Sequence, residues 1–166
     1  MTGVQTCALP ISEDFKLSSG TWVRAGAVRL QAIALLTPLV SDVVVCGQDR
    51  ETVGVLAWPV EKALRALDAS LTATPFAELL CHPMVLDALA QRLRSANGQG
   101  GAATIDRVAL LASPPSLDAG EITDKGYVNQ SAALRHRAAD VQRLYDGDVS
   151  GGVALRYSPV RERAKQ

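Results

Sequence analysis

The side chains that could perform metal, thiol or phosphate chemistry are few and widely spaced along this chain. Its two histidines are His82, which follows Cys81, and His136, which lies in an Arg-rich segment. Neither has partners at the spacing of a zinc site. The Gly-rich segment 98–101 is too short for a phosphate-binding loop, and no strand leads directly into it. We therefore predict no metal ligand, and these residues suggest no catalytic set.

The beginning of the chain differs from the remainder. Residues 1–11, which read MTGVQTCALPI, resemble the translation of a sequencing adaptor. We expect the protein's own sequence to begin at Ser12 or Glu13, in the C-terminal piece of a longer protein. Cys7 then does not belong to the protein itself. Cys46 and Cys81 are expected to be reduced, buried thiols of a cytoplasmic protein.

Composition indicates a globular domain and excludes some partners. Of the 166 residues, 48% are hydrophobic and 20% charged, and the formal net charge is zero. Without a basic block, neither nucleic acid nor an anionic membrane is an expected partner. No apolar run approaches the length of about 20 residues that a membrane span requires.

The first half of the sequence predicts two hairpins around a helix. Short strands at 14–17 and 21–23 flank a loop with Gly20 at the left-handed position. Apolar residues at helical spacing from Val28 onward predict a helix that Pro38 ends. Two β-rich runs, Val43–Cys46 and Val53–Ala57, then form a second hairpin.

The second half predicts helices, one strand and a tail. A helix begins at Pro83 and ends at Asn97-Gly98, a strand covers 105–112, and an ordered loop covers 117–126. A last helix then has one apolar face, formed by Leu134, Ala138, Val141 and Tyr145. We expect residues 147–166 to be a flexible tail. The predicted class is α+β, with a small antiparallel sheet, an N-terminal β-hairpin and helices packed against it.

Three segments, in order, resemble the C-terminal lid domain of adenylate-forming acyl-CoA synthetases. They are Glu13–Val23, Asp42–Trp58 and Ile105–Leu134. The most specific string, residues 114–130 (PPSLDAGEITDKGYVNQ), closely resembles the ending of feruloyl-CoA synthetases. The resemblance places this domain at residues 12–146.

The resemblance implies part of an ATP-dependent, AMP-forming acid–CoA ligase. The parent enzyme would convert a small aromatic acid, a hydroxycinnamate such as ferulate, into its CoA thioester with ATP, CoA and Mg²⁺. This fragment alone, without its N-terminal adenylation domain, is expected to be inactive and to bind none of these cofactors. Alternatives are a benzoate or fatty acid substrate in the same ligase class, or a non-catalytic α+β interaction domain.

The resemblance also nominates site residues. Lys125 would be the catalytic lysine, a compact charge that bridges the attacking carboxylate and the α-phosphate of ATP. If it has no such role, it is a solvated surface lysine. Gly20, Thr21 and Trp22 would line the CoA tunnel, although Gly20 also suits a plain hairpin turn. Trp22 is more typical of a core or interface aromatic than of a ligand contact.

The sequence departs from the family pattern near the lysine. Asp124 stands where glycine is usual, and another alignment puts Glu121 in the lysine position, where its negative charge would repel both reactants. Lys16, Arg24 and Arg29 could meet CoA phosphates but are better read as solvated charges. We expect a solvated helix surface at Arg135, Arg137 and Arg143.

Overall fold

The computed structural model describes residues 13–96, 104–146 and 152–155. The strands are β1 (Phe15–Lys16), β2 (Trp22–Val23), β3 (Val40–Cys46), β4 (Val53–Pro59), β5 (Ile105–Leu110) and β6 (Val153–Leu155). The helices are α1 (Ala25–Leu36), α2 (Glu61–Arg65), α3 (Phe76–Leu79), α4 (Pro83–Ser95), α5 (Gln130–His136) and α6 (Ala138–Asp146), with a short 3₁₀ helix at Ala69–Leu71. The predicted α+β class is confirmed.

Both predicted hairpins are present. β1 pairs antiparallel with β2, with Phe15 opposite Val23, and β3 pairs antiparallel with β4, with Val43 opposite Ala57. Gly20 in the first turn has φ +89°, a left-handed conformation in which a side chain would be strained. The first hairpin is a separate two-stranded sheet.

The main sheet is mixed, whereas the sequence predicted an antiparallel one. Its strand order is β3-β4-β5-β6, and β5 runs parallel to β4. The chain between these two strands contains α2, α3 and α4, and such a crossover returns it to the edge where β4 began. A parallel pair follows from that connection.

The sheet is covered on both faces, and the alternation of β3 shows how. Val43 and Val45 belong to a buried cluster that also contains apolar residues of α1 and α4. Val44 and Cys46 belong to a second cluster, against which residues of α5 and α6 pack. Successive strand side chains point to opposite faces, so one Val-rich strand serves both cores. β3 and β4 thereby fix the position of α5 and α6.

Helix α4 begins as the sequence predicts. Pro83 occupies its first turn, and the His82 ring nitrogen Nδ1 accepts a hydrogen bond from the Met84 N–H (3.2 Å). His82 is thus a helix cap. The predicted stop at Asn97-Gly98 and the Gly-rich segment 98–101 lie outside the described residues.

Within the described ranges, no helix combines the length and the apolar character that crossing a bilayer requires.

The predicted single last helix is two helices, α5 and α6. Arg137 separates them with φ −106° and ψ 30°, and its N–H ends α5 by donating to the Ala133 carbonyl (2.8 Å). The Arg137 carbonyl then accepts from Val141 N–H (3.0 Å) as α6 begins. The break accompanies burial of the Arg137 side chain, which is only 6% exposed. Its predicted place on a solvated surface is therefore wrong.

Two further predictions need correction. Val153–Leu155, in the predicted tail, forms β6 and pairs antiparallel with β5, with Ala154 opposite Val108. This short apolar run covers the otherwise open edge of β5, which favours strand over tail. Cys46 is buried as predicted, and burial raises the pKa of its thiol to about 12, whereas Cys81 is exposed.

Candidate functional site

Lys125 lies at the tip of a small hairpin, residues 122–128, which we call the lysine hairpin. Its turn is closed by hydrogen bonds from Gly126 N–H to the Thr123 carbonyl (2.9 Å) and from Thr123 N–H to the Tyr127 carbonyl (2.8 Å). Gly126 has φ +87°, as a three-residue hairpin loop requires at this position. The Lys125 side chain is exposed. The hairpin thus presents a cation to solvent on an ordered turn.

A buried carboxylate lies directly before this hairpin. Glu121 is completely buried, and Arg137 binds both of its oxygens, through Nε at 2.7 Å and Nη2 at 3.0 Å. Ser116 N–H donates to Oε2 (2.7 Å), and His136 Nδ1 lies 2.7 Å from Oε1. The hydrogen bond from Arg137, with those from His136 and Ser116, lowers the pKa of Glu121 to about 2. Glu121 is therefore a structural anion that faces no solvent, and an alignment that places it in the lysine position puts a buried group there.

Arg137 extends the same network to the start of the loop. Its Nη1 donates to Ser113 Oγ (2.7 Å), and its Nη2 donates to the carbonyls of Ser113 (3.2 Å) and Pro114 (3.0 Å). The guanidinium also lies 5.7 Å from the centre of the Trp58 ring, and Trp58 Nε1 donates to the same Ser113 carbonyl (3.1 Å). One buried cation thus joins β4, the α5–α6 junction and the loop after β5.

The backbone of Glu121 is bonded as well. Its N–H donates to the Ser116 carbonyl (2.9 Å), and its carbonyl accepts from Asn129 N–H (2.7 Å). The Asn129 side chain then caps α5 by accepting from Ala132 N–H (3.1 Å). Residues 121 and 129, on either side of the lysine hairpin, are therefore held to each other and to α5.

The other predicted site residues lie on the first hairpin, at an open surface. Gly20 N–H donates to the Leu17 carbonyl (2.9 Å), and no residue beyond its two chain neighbours comes within 4 Å of where a Cβ would stand. Thr21 is exposed, with its Oγ1 3.0 Å from Ser19 Oγ. Trp22 is 64% exposed, with Lys16 Nζ 4.9 Å from its ring centre. Trp22 is thus a surface aromatic and no part of the core.

The three cations considered for CoA phosphates differ in their surroundings. Arg29 makes a two-pronged ion pair with Asp42, through Nε at 3.0 Å and Nη2 at 2.7 Å. Lys16 stacks on Trp22, and Arg24 is exposed. Arg29 is therefore largely neutralised by Asp42.

A surface cavity of about 510 Å³ lies elsewhere on the domain. Its walls come from the first hairpin, the β3–β4 turn, α5 and α6, and include Phe15, Arg50 and Gln142. None of Gly20, Thr21, Trp22 and Lys125 lines it.

Across residues 13–96, 104–146 and 152–155, no three or more His, Cys, Asp or Glu side chains cluster as metal ligands, and we assign no metal-binding residue.

Acid should weaken the domain through Glu121. The pKa of Glu121 is about 2 in the folded chain, below the ordinary value of 4.5. The ionised carboxylate therefore contributes fully to the free energy of unfolding above pH 4.5, and this contribution is lost as the pH falls from there through about 2. We expect urea unfolding between about pH 6 and about pH 3 to show a steeper loss of stability for the wild type than for Glu121→Gln, which has no carboxylate to protonate. Equal slopes would contradict this assignment.

Comparison with protein-family models matches most of the chain. A family model described as "AMP-binding enzyme C-terminal domain" matches residues 17–149. No curated protein matches the chain.

Solved structures with a similar fold include adenylation domains of carboxylic acid reductases. One from Segniliparus rugosus, in complex with AMP and a co-purified carboxylic acid, is 18% identical with a TM-score of 0.60, over 80% of this chain and 20% of that one. The A-PCP didomain from the same organism, in complex with AMP, is 19% identical with a TM-score of 0.59, over 80% and 17%. An adenylation domain from Mycobacterium chelonae is 20% identical with a TM-score of 0.58, over 82% and 20%. The chain therefore spans a fifth or less of these proteins, and at this identity the likeness concerns the fold.

Proposed function

Because the chain belongs to the family of AMP-binding enzyme C-terminal domains, we propose that it is the lid of an ATP-dependent, AMP-forming acid–CoA ligase. The proposed acid is a hydroxycinnamate such as ferulate. The substrate assignment is supported by the string 114–130, which resembles the ending of feruloyl-CoA synthetases.

The observation that carries the proposal is the exposed lysine on an ordered hairpin. In the adenylation step, the acid carboxylate attacks the α-phosphate of ATP, forming the acyl-adenylate and releasing pyrophosphate. Both reactants are anions, so a cation placed between them stabilises the charge that develops as the new bond forms. Lys125 supplies a compact, exposed ammonium for that role.

The first hairpin would serve the second half of the reaction, in which the CoA thiol displaces AMP. Gly20 leaves open space where a side chain would project, so a pantetheine arm could pass close to its backbone. Thr21 and Trp22 are exposed beside it and would line the tunnel or contact the N-terminal adenylation domain.

The nucleotide and acid pockets would lie mainly in the N-terminal adenylation domain. The chain corresponds to a fifth or less of the similar adenylation-domain structures. We therefore expect the isolated chain to catalyse no ATP–pyrophosphate exchange with ferulate.

The test uses the full-length enzyme that contains this domain. ATP–pyrophosphate exchange is measured with ferulate, benzoate and a fatty acid, and thioester formation is then followed after CoA is added. Fastest exchange and thioester formation with ferulate is the expected result. Preference for benzoate or a fatty acid would overturn the substrate, and adenylate formation without thioester would overturn CoA as acceptor. No exchange with any acid would favour a non-catalytic interaction domain.

A further inference from the structure

The strongest feature outside the proposed chemistry is the network that holds the lysine hairpin. Glu121 uses its N–H, its carbonyl and both carboxylate oxygens, with Ser116, Asn129, Arg137 and His136 as partners. Asn129 directly follows the hairpin, Ser116 lies in the loop after β5, and His136 and Arg137 lie at the α5–α6 junction. Neither Glu121 nor Arg137 reaches solvent to meet a substrate, since their side chains are 0% and 6% exposed.

We propose that Glu121 and Arg137 are positioning residues for the adenylation step, which act by fixing the backbone that carries Lys125. The inference rests on the proposed function of Lys125. It assigns the two residues no contact with ATP or with the acid.

The need for such anchoring follows from the lysine side chain. Its four-carbon stem is flexible, so an exposed ammonium is placed accurately only if its backbone is. A misplacement of about 1 Å at a reacting centre can slow catalysis on the order of 100-fold. The hydrogen bonds within the turn order its tip, but they do not orient it relative to the sheet.

The Glu121–Arg137 pair supplies that orientation. Arg137 binds Glu121 at the root of the hairpin and also the carbonyls of Ser113 and Pro114, in the loop after β5. It also lies over Trp58 on β4. The root of the hairpin is thereby tied to the central strands, and a buried two-pronged Arg–carboxylate pair has a fixed direction as well as strength.

The pair also keeps its charges away from the reactants. The two opposite charges cancel within the protein, and the cation exposed on the hairpin is Lys125. Glu121→Gln removes the carboxylate charge and keeps the shape of the side chain. It therefore tests the positioning of Lys125 more directly than it tests charge at the reaction centre.

The experiment compares wild type with Glu121→Gln in the full-length enzyme. We expect hydrogen exchange in residues 122–128 to speed up at least about tenfold, because the hairpin root is released. Adenylation kcat should fall on the order of 10- to 100-fold with little change in KM for ATP or acid. Asp42→Asn, which breaks the Arg29–Asp42 pair between α1 and β3, is the matched control and should change neither.

A double-mutant cycle with Lys125→Ala decides whether Glu121 acts through the lysine. Adding Glu121→Gln to Lys125→Ala should slow adenylation by less than about twofold, since the group being positioned is gone. If the rate losses of the two single substitutions multiply in the double variant, the proposal is overturned. Unchanged hydrogen exchange in residues 122–128 of Glu121→Gln would also overturn it. If Lys125→Ala alone has no effect, the proposed role of Lys125 fails, while hydrogen exchange still decides whether the pair fixes the hairpin.

A second variant covers the case in which Glu121→Gln does not fold. Glu121→Met with Arg137→Met replaces the whole pair by apolar side chains, which often keeps a buried site stable. Slow exchange in β3–β5 together with fast exchange in the hairpin and slow adenylation would support positioning. A folded double variant with a protected hairpin and full adenylation rate would overturn it.

Discussion

Replacing Lys125 with alanine in the full-length enzyme should slow acyl-adenylate formation on the order of 100- to 1,000-fold. The reason is the loss of the exposed cation at the tip of the lysine hairpin, which would otherwise lie between two anionic reactants. Thioester formation from supplied acyl-adenylate should be much less affected, because that step joins a thiol to an already activated acid. Single-turnover measurements of each half-reaction separate the two effects.

Lys62→Ala is the matched control for this substitution. Lys62 is another exposed lysine, on α2, and its removal should leave both half-reactions close to wild type. Adenylation at full rate without Lys125 would refute its assignment. An equal loss in both half-reactions would indicate a folding defect and contradict a specific role in adenylation.

The local elements of the fold were predictable because their signals are local. Gly20 between two short strands predicts the first hairpin, and the two β-rich runs of β3 and β4, separated by the short segment 47–52, predict the second. Pro83 marks the start of α4 for the same reason, since it occupies the first helical turn.

The sheet direction and its fourth strand were not predictable in this way. The sequence of residues 105–110 is compatible with a parallel and with an antiparallel pair, and the crossover through α2 to α4 decides between them. β6 is three residues long in a Gly-rich segment, and it becomes a strand because it pairs with the open edge of β5. Both results depend on tertiary contacts that no short window of sequence contains.

The candidate site also combines a local feature that the sequence predicts with a tertiary feature that it does not. The turn residues of the lysine hairpin, with Gly126 after Lys125, predict an ordered loop. Glu121 and Arg137 stand 16 positions apart, a separation without helical or strand periodicity. Arg137 looks like its neighbours Arg135 and Arg143 in the sequence, and only the break between α5 and α6 turns it inward. The one available signal of this buried pair was the glutamate itself, which stands in a loop that otherwise resembles the family.

Arg137→Met should destabilise the domain by about 3–5 kcal/mol, the largest stability effect we expect from a single substitution here. It leaves Glu121 as a buried anion without its two-pronged partner, and the carbonyls of Ser113 and Pro114 lose a donor. Arg135→Met is the matched control, since Arg135 is exposed two positions earlier, and it should change the free energy of unfolding by about 0.5 kcal/mol or less. Urea denaturation of both variants measures the difference.

Adding Glu121→Met to Arg137→Met separates the buried charge from the lost packing. If the unpaired carboxylate causes most of the loss, the double variant should be more stable than Arg137→Met alone, because no charge then stays buried. The acid-dependent loss that Glu121 causes in the wild type should be absent from the double variant, because it depends on the carboxylate whose pKa Arg137 lowers. A double variant no more stable than Arg137→Met, with the same acid dependence as wild type, would mean that Arg137 stabilises the domain through Ser113, Pro114 and Trp58 instead of through Glu121.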